Sequence, residues 1–97
     1  MKAIFIAFDQ AYYERIIYML EVNNCRGFTE WPEVQGRGSF KGEPHYGTHA
    51  WPSLASALMT IVEDDMVENI LSILHEMDAA TPKLGLRAFV WNIERTI

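Results

Sequence analysis

Short segments with two different hydrophobic periods alternate along the chain. A strand is predicted where apolar residues occupy both alternating sets of positions, as in KAIFIAF at residues 2–8. A helix is predicted where apolar residues recur three and four positions apart, as at Tyr13, Ile16, Ile17 and Leu20. Along the whole chain these patterns predict strands at residues 2–8, 28–34, 53–63 and 86–94, with one helix inside each pair of strands.

Polar residues mark the predicted ends of these elements. Asp9 is a suitable cap for the first helix, and Asp65 with Glu68 forms the D-x-x-E capping-box pattern before the second helix. The apolar stripe of the second helix predicts that it ends at about Met77. Pro32 has no N–H group to donate, so the second strand is predicted to lie near an edge of the sheet or to contain a bulge.

The order of elements predicts one domain over residues 1–97. It is an α+β, ferredoxin-like βαββαβ sandwich with a four-stranded antiparallel sheet and two helices on one face. Two helices can cover only one face of this sheet, yet strands 1, 3 and 4 are apolar on both faces. The uncovered apolar face is therefore predicted to be an interface between subunits.

Charge and cysteine content narrow the functional classes. The net charge of −5 argues against nucleic-acid binding and against attraction to anionic membranes. The one cysteine, Cys25, has no intramolecular partner, which fits a reducing, cytoplasmic environment. The apolar run at residues 2–8 is too short to span a bilayer and has no cleavage site, so neither a signal peptide nor direct membrane insertion is expected.

Residues 35–52 form a long predicted loop, QGRGSFKGEPHYGTHAWP, which holds four of the six glycines of the chain. Loops of this length in compact domains are usually functional or disordered. Two clusters suit an anion: Gly36-Arg37-Gly38 with Lys41, and the loop at 81–87, which carries Lys83 and Arg87. The alternatives are flexible loop glycines and ordinary surface cations.

A metal site is the second interpretation of the long loop. His45 and His49 have the His-x-x-x-His spacing that binds a divalent metal well from a helix. Pro44 and Gly47 exclude a helix here, so surface histidines are the competing explanation. The aromatic set, which comprises Trp31, Trp51, Trp91, Tyr12 and Tyr13, indicates core or interface packing, with a stacking site for a ring as the alternative. The sequence contains no nucleophile–base arrangement, so an enzyme is not predicted.

Several segments resemble the nitrogen-regulatory PII signalling proteins. Gly27-Phe28-Thr29 followed by EVQGRG at 33–38 resembles the GxT…EVxGxG pattern that leads into the long T-loop of that family. IVEDDMV at 61–67 resembles its strand-to-helix junction, and TPKLGLRAFV at 81–90 resembles its loop TGKIGDGKIFV. The resemblance covers nearly the whole chain. Pro82 and Leu86 stand where the family has glycines, and Arg87 replaces a lysine.

The resemblance implies a homotrimer whose sheets face inward and whose effectors bind in clefts between subunits. In the family these effectors are ATP or ADP, often with 2-oxoglutarate, and the long loop docks on a transporter, enzyme or regulator. The chain is thus predicted to sense an adenine nucleotide or, because of the replaced glycines, a smaller anion. The predicted ligand-binding residues are Gly36, Arg37, Gly38, Lys41, Lys83, Gly85 and Arg87. The alternative function is metal tolerance of the CutA type, with His45 and His49 as ligands.

Overall fold

The computed structural model describes residues 1–36, residue 44 and residues 54–97. These residues form four strands and two α-helices in the predicted order. Their bounds are β1 Lys2–Asp9, α1 Tyr13–Val22, β2 Phe28–Val34, β3 Ala55–Val62, α2 Val67–Ala80 and β4 Arg87–Asn92. Short 3₁₀ turns precede both helices, at Gln10–Tyr12 and Asp64–Met66, and a third, at Pro82–Leu84, leads towards β4.

The four strands make one sheet in the order β2-β3-β1-β4, and every neighbouring pair is antiparallel. Both helices pack on one face. The ferredoxin-like arrangement predicted from the sequence is therefore confirmed. β2 is an edge strand, and its register with β3 is irregular between Trp31 and Val34. The two features expected of Pro32, an edge position and a bulge, are therefore both present.

The core lies between the sheet and the two helices. Ile4, Ile6 and Phe8 of β1 have no more than 2% of their surface exposed, and Leu58 of β3 is fully buried beside them. The helices contribute the apolar stripes expected of them, with these buried members: Ile16, Met19, Leu20, Val67, Ile70, Leu74 and Met77. The alternation of β1 thus assigns Ile4, Ile6 and Phe8 to the helix-covered face, and Ala3, Phe5 and Ala7 to the other face, which we call the open face.

The two helix starts differ from each other. Asp9 caps the first 3₁₀ turn as expected, because its Oδ1 accepts a hydrogen bond of 2.7 Å from the amide of Ala11. The capping box predicted at Asp65 is wrong, since neither the turn at 64–66 nor α2 has a side-chain cap. The 3₁₀ turn delays the first α-helical residue to Val67, so Asp65 lies within the turn and not at the N-cap.

Asp64 has a different role at this junction. Its Oδ1 lies 2.6 Å from the N-terminal ammonium of Met1, and Lys2 approaches its Oδ2 to 3.9 Å. These contacts lower the pKa of the Asp64 carboxyl, chiefly through the hydrogen bond from the ammonium group. The start of β1 is thereby connected to the start of α2.

α2 continues to Ala80, three residues past its predicted end, while β3 and β4 are shorter than predicted. In the described part of the chain, no helix is long and apolar enough to cross a membrane.

Candidate functional site

The open face of the sheet carries a patch of large exposed hydrophobic side chains. Trp31, Ile61, Phe89 and Trp91 come from three different strands, and each is between 42% and 58% exposed. The register explains why they share this face, since Ala7 and Trp31 both pair with Ala57, and Ala3 pairs with both Ile61 and Trp91. We refer to these four side chains, three of them aromatic and one aliphatic, as the aromatic patch.

A cavity of about 510 Å³ lies at one end of the open face. It is found where β2 ends and where the turn before β4 returns to the sheet. Its floor is formed by small side chains, those of Ala7 and Ala57 on the two central strands. Its walls are aromatic, with Phe5 and Trp31 in contact at a ring-centroid distance of 6.1 Å and Phe89 also lining the space.

The turn before β4 shapes one side of this cavity. Residues Pro82–Leu84 form a 3₁₀ turn in which Leu84 N–H donates to Thr81 O and Gly85 N–H donates to Pro82 O, both at 3.1 Å. Gly85 then adopts φ 74° and ψ 37°, the left-handed conformation that costs a side-chain-bearing residue about 1–2 kcal/mol. The glycine therefore allows the chain to turn into β4 and places Leu84 and Gly85 in the cavity wall.

The end of β2 shapes the opposite side. The hydroxyl of Ser56 donates a hydrogen bond of 2.7 Å to the carbonyl oxygen of Pro32, which anchors β2 where its ladder with β3 is irregular. Val34, Gln35 and Gly36 then line the cavity. A Cβ added to Gly36 would meet no atom of the described residues within 4 Å, so their packing does not require glycine at this position.

Arg87 is the one cationic side chain among the described residues that line the cavity. It is the first residue of β4 and pairs with Ala7, so its Cβ emerges on the open face. Its guanidinium, however, reaches the helix layer, where Nη1 donates to Asp78 Oδ2 at 3.2 Å and to the carbonyl oxygen of Leu86 at 2.6 Å.

The structure thus brings together three of the seven predicted ligand-binding residues, Gly36, Gly85 and Arg87, around one cavity. Lys83 is exposed on the 3₁₀ turn and is not among the residues that line it. Arg37, Gly38 and Lys41 lie outside the described residues, as do both histidines of the alternative metal site, His45 and His49. Within the described ranges, no three His, Cys, Asp or Glu side chains are close enough to share a metal ion.

The aromatic contribution to the cavity was only partly predicted. The sequence predicts Trp31 as a packing or stacking residue but does not single out Phe5 or Phe89 as site residues. The strand alternation contained part of the necessary signal, since it assigns Phe5 to one face of β1 and Phe89 to one face of β4. The antiparallel register pairs the two residues, so they lie on the same face of the sheet. Tyr12 belongs to the core instead, where its hydroxyl donates to Met77 O at 3.2 Å.

A larger cavity of about 680 Å³ lies between the two helices on the opposite side of the molecule. Its walls include Tyr18 and Val22 of α1 and Ile73 of α2. None of the four predicted ligand-binding residues that the structure describes lines it, so the cavity on the open face is the better candidate site.

No protein-family model matches the sequence, and no curated protein matches it significantly. Similar solved structures do exist. CPII from Thiomonas intermedia K12, described as a nitrogen regulatory PII-like protein and bound to ADP, AMP and bicarbonate, superposes with a TM-score of 0.77. The match covers 95% of this chain and 84% of CPII at 19% sequence identity.

This chain has the PII-like fold. A second CPII structure, bound to ADP, AMP and acetate, superposes with a TM-score of 0.69 at 16% identity, over 95% of this chain and 84% of CPII. A putative PII-like signalling protein from Thermus thermophilus superposes with a TM-score of 0.68 at 23% identity, over 95% of this chain and 85% of that protein. The PII-like resemblance inferred from the sequence is confirmed at the level of the fold.

Proposed function

We propose that this protein is a PII-like regulatory subunit that assembles as a cytoplasmic homotrimer and senses a small anion at clefts between subunits. The effector state is signalled to a partner protein, such as a transporter or regulator, through the loop at 35–52. The protein acts by binding and not as an enzyme.

The observation that carries this proposal is the cavity on the open face. It lies where the base of the long loop, at Gln35 and Gly36, meets Gly85 and Arg87 at the entry to β4. A ligand held there would contact the residue from which the long loop departs, so occupancy can favour one loop conformation over another. The ligands of the CPII structures, which are ADP, AMP, bicarbonate and acetate, support an adenine nucleotide or a small carboxylate as the ligand class.

The trimer is supported by the aromatic patch. Monomeric proteins seldom leave large hydrophobic side chains grouped on one face, and a partner copy would remove them from water. In a trimer with inward-facing sheets, the cavity at the end of the open face would border a neighbouring subunit. The second subunit could then supply further ligand contacts.

Isothermal titration calorimetry with bicarbonate, ADP, AMP and 2-oxoglutarate tests the anion site. We expect saturable binding of at least one of these anions, and Arg87→Ala should weaken it by about 1–3 kcal/mol, the range for a charge-assisted hydrogen bond. The double variant His45→Ala/His49→Ala serves as the control and should retain anion binding. If only a divalent metal binds, and the histidine variant abolishes that binding, the metal-tolerance function is the correct one.

A further inference from the structure

Arg87 lies at the boundary between two cavities. It lines the cavity on the open face, and it also lines a smaller one of about 350 Å³ between α2 and β4, together with His75 and Asp78. β4 is an edge strand, so a long side chain that starts on the open face can pass around the strand to the helix layer. The guanidinium is found on the helix side, bonded to Asp78.

Asp78 is partly buried and pairs with Arg87 through one of its two carboxylate oxygens. Its Oδ2 accepts the bond from Arg87, while its Oδ1 is buried and has no hydrogen-bond partner among the described residues. A nearby positive charge offsets part of the cost of removing this carboxylate from water. Arg87 is the cation that forms a salt bridge with it.

We propose that Asp78 competes with the bound anion for Arg87 and thereby sets the affinity of the cavity on the open face. This inference rests on the proposed function, because it assumes that an anion occupies that cavity. With the cavity empty, Asp78 holds the guanidinium on the helix side of β4. An anion in the cavity draws Arg87 back across the strand edge, and the Arg87–Asp78 ion pair breaks.

The competition reduces the apparent affinity by the fraction of molecules in which Arg87 is available. The side chains of Arg87 and Asp78 are 38% and 26% exposed, so the ion pair is only partly shielded from water. Partly exposed pairs are weak, and a weak pair is suited to a contact that a ligand must break.

The test is the affinity of Asp78→Asn for bicarbonate and ADP, measured by calorimetry beside the wild type. Asn keeps the shape of the side chain and removes its charge. We expect binding about two- to fivefold tighter than in the wild type, which corresponds to the strength of a partly exposed ion pair. Glu76→Gln is the matched control, because it removes the same charge from an exposed position on α2 that does not contact Arg87. Its affinity should equal that of the wild type.

The outcomes separate the two proposals. If the wild type binds an anion and Asp78→Asn binds it equally or more weakly, the competition is refuted while the proposed function stands. If neither protein binds any of the anions, both proposals fail. In the Arg87→Ala background, Asp78→Asn should have no further effect on affinity, since the group for which it competes is gone.

A measurement on the wild-type protein tests the inference even if Asp78→Asn does not fold. The guanidinium NMR signal of Arg87, assigned with an Arg87→Lys variant, should shift on saturation with the anion that calorimetry identifies. A signal that remains unchanged at saturation would show that Arg87 stays with Asp78, and would overturn the inference.

Discussion

The hydroxyl of Tyr13, at the start of α1, donates a hydrogen bond of 3.2 Å to Oε1 of Glu30 in β2. This bond raises the pKa of Tyr13 above its ordinary value, and burial and the negative charge of Glu30 add smaller increases. The folded protein therefore holds the phenolic proton more tightly than the unfolded chain does. The stabilisation is fully present below the unfolded pKa of about 10 and is lost as the pH rises through the folded pKa.

Tyr13→Phe should accordingly lower the melting temperature at neutral pH, and this difference from the wild type should shrink in strongly alkaline solution. Thermal unfolding followed by circular dichroism over a pH series provides the measurement. Tyr18→Phe is the matched control, because Tyr18 is an exposed tyrosine on the same helix. A melting difference for Tyr13→Phe that stayed constant across the pH series would contradict the assigned role of the hydrogen bond.

At the scale of the elements, the central and edge strands differ in what they tolerate. Ile6 is fully buried under the helices in the central strand β1, whereas Val90 is half-buried in the edge strand β4. An aspartate at position 6 has no route to water, and an uncompensated buried charge is very costly. An aspartate at position 90 can reach solvent past the strand edge.

We therefore expect Ile6→Asp to prevent folding and Val90→Asp to give a folded but destabilised protein. Ile6→Val, which removes one methylene group, should cost only about 0.5–1.5 kcal/mol. Urea unfolding monitored by circular dichroism ranks the three variants. Equal stability of Ile6→Asp and Val90→Asp would show that the assignment of β1 as a central strand and β4 as an edge strand is incorrect.

The sequence predicted the elements better than it predicted their ends. Both ends of β2 are as predicted, because Gly27 precedes it and a glycine-rich segment follows it. The end of α2 was predicted too early, since Asp78, Ala79 and Ala80 contribute no apolar stripe, although their backbone remains helical. The capping-box pattern at Asp65 failed because the pattern does not distinguish an α-helical start from a preceding 3₁₀ turn.

The candidate site shows a similar division. The sequence predicted Gly36, Gly85 and Arg87 as ligand-binding residues from their residue types and their loop context, and these three line the cavity. The sequence did not predict the contact between Arg87 and Asp78, which depends on how far α2 continues and on the path of a flexible side chain around β4. Positions that are far apart in sequence, such as Phe5 and Phe89, meet only once the strand register is known.

At the scale of the whole molecule, the aromatic patch makes assembly testable. Static light scattering should give the mass of a trimer for the wild type. Phe89→Asp should reduce that mass to a monomer while leaving the circular dichroism spectrum unchanged, since Phe89 is 58% exposed in the isolated chain. Tyr18→Asp, at an exposed position on the opposite side, should remain trimeric. A wild type with a monomeric mass at micromolar concentration would refute the proposed assembly.

The edge strand β2 also has a consequence for colloidal behaviour. Pro32 offers no N–H group, and its carbonyl oxygen is already engaged by the hydroxyl of Ser56. Pro32 and the irregular register beside it, between Trp31 and Val34, make this edge a poor template for an incoming strand from another molecule. Proteins use proline and bulges in this way to prevent edge-to-edge growth into fibrils. The proposed assembly through the aromatic patch can in this way close without further growth through the edge of the sheet.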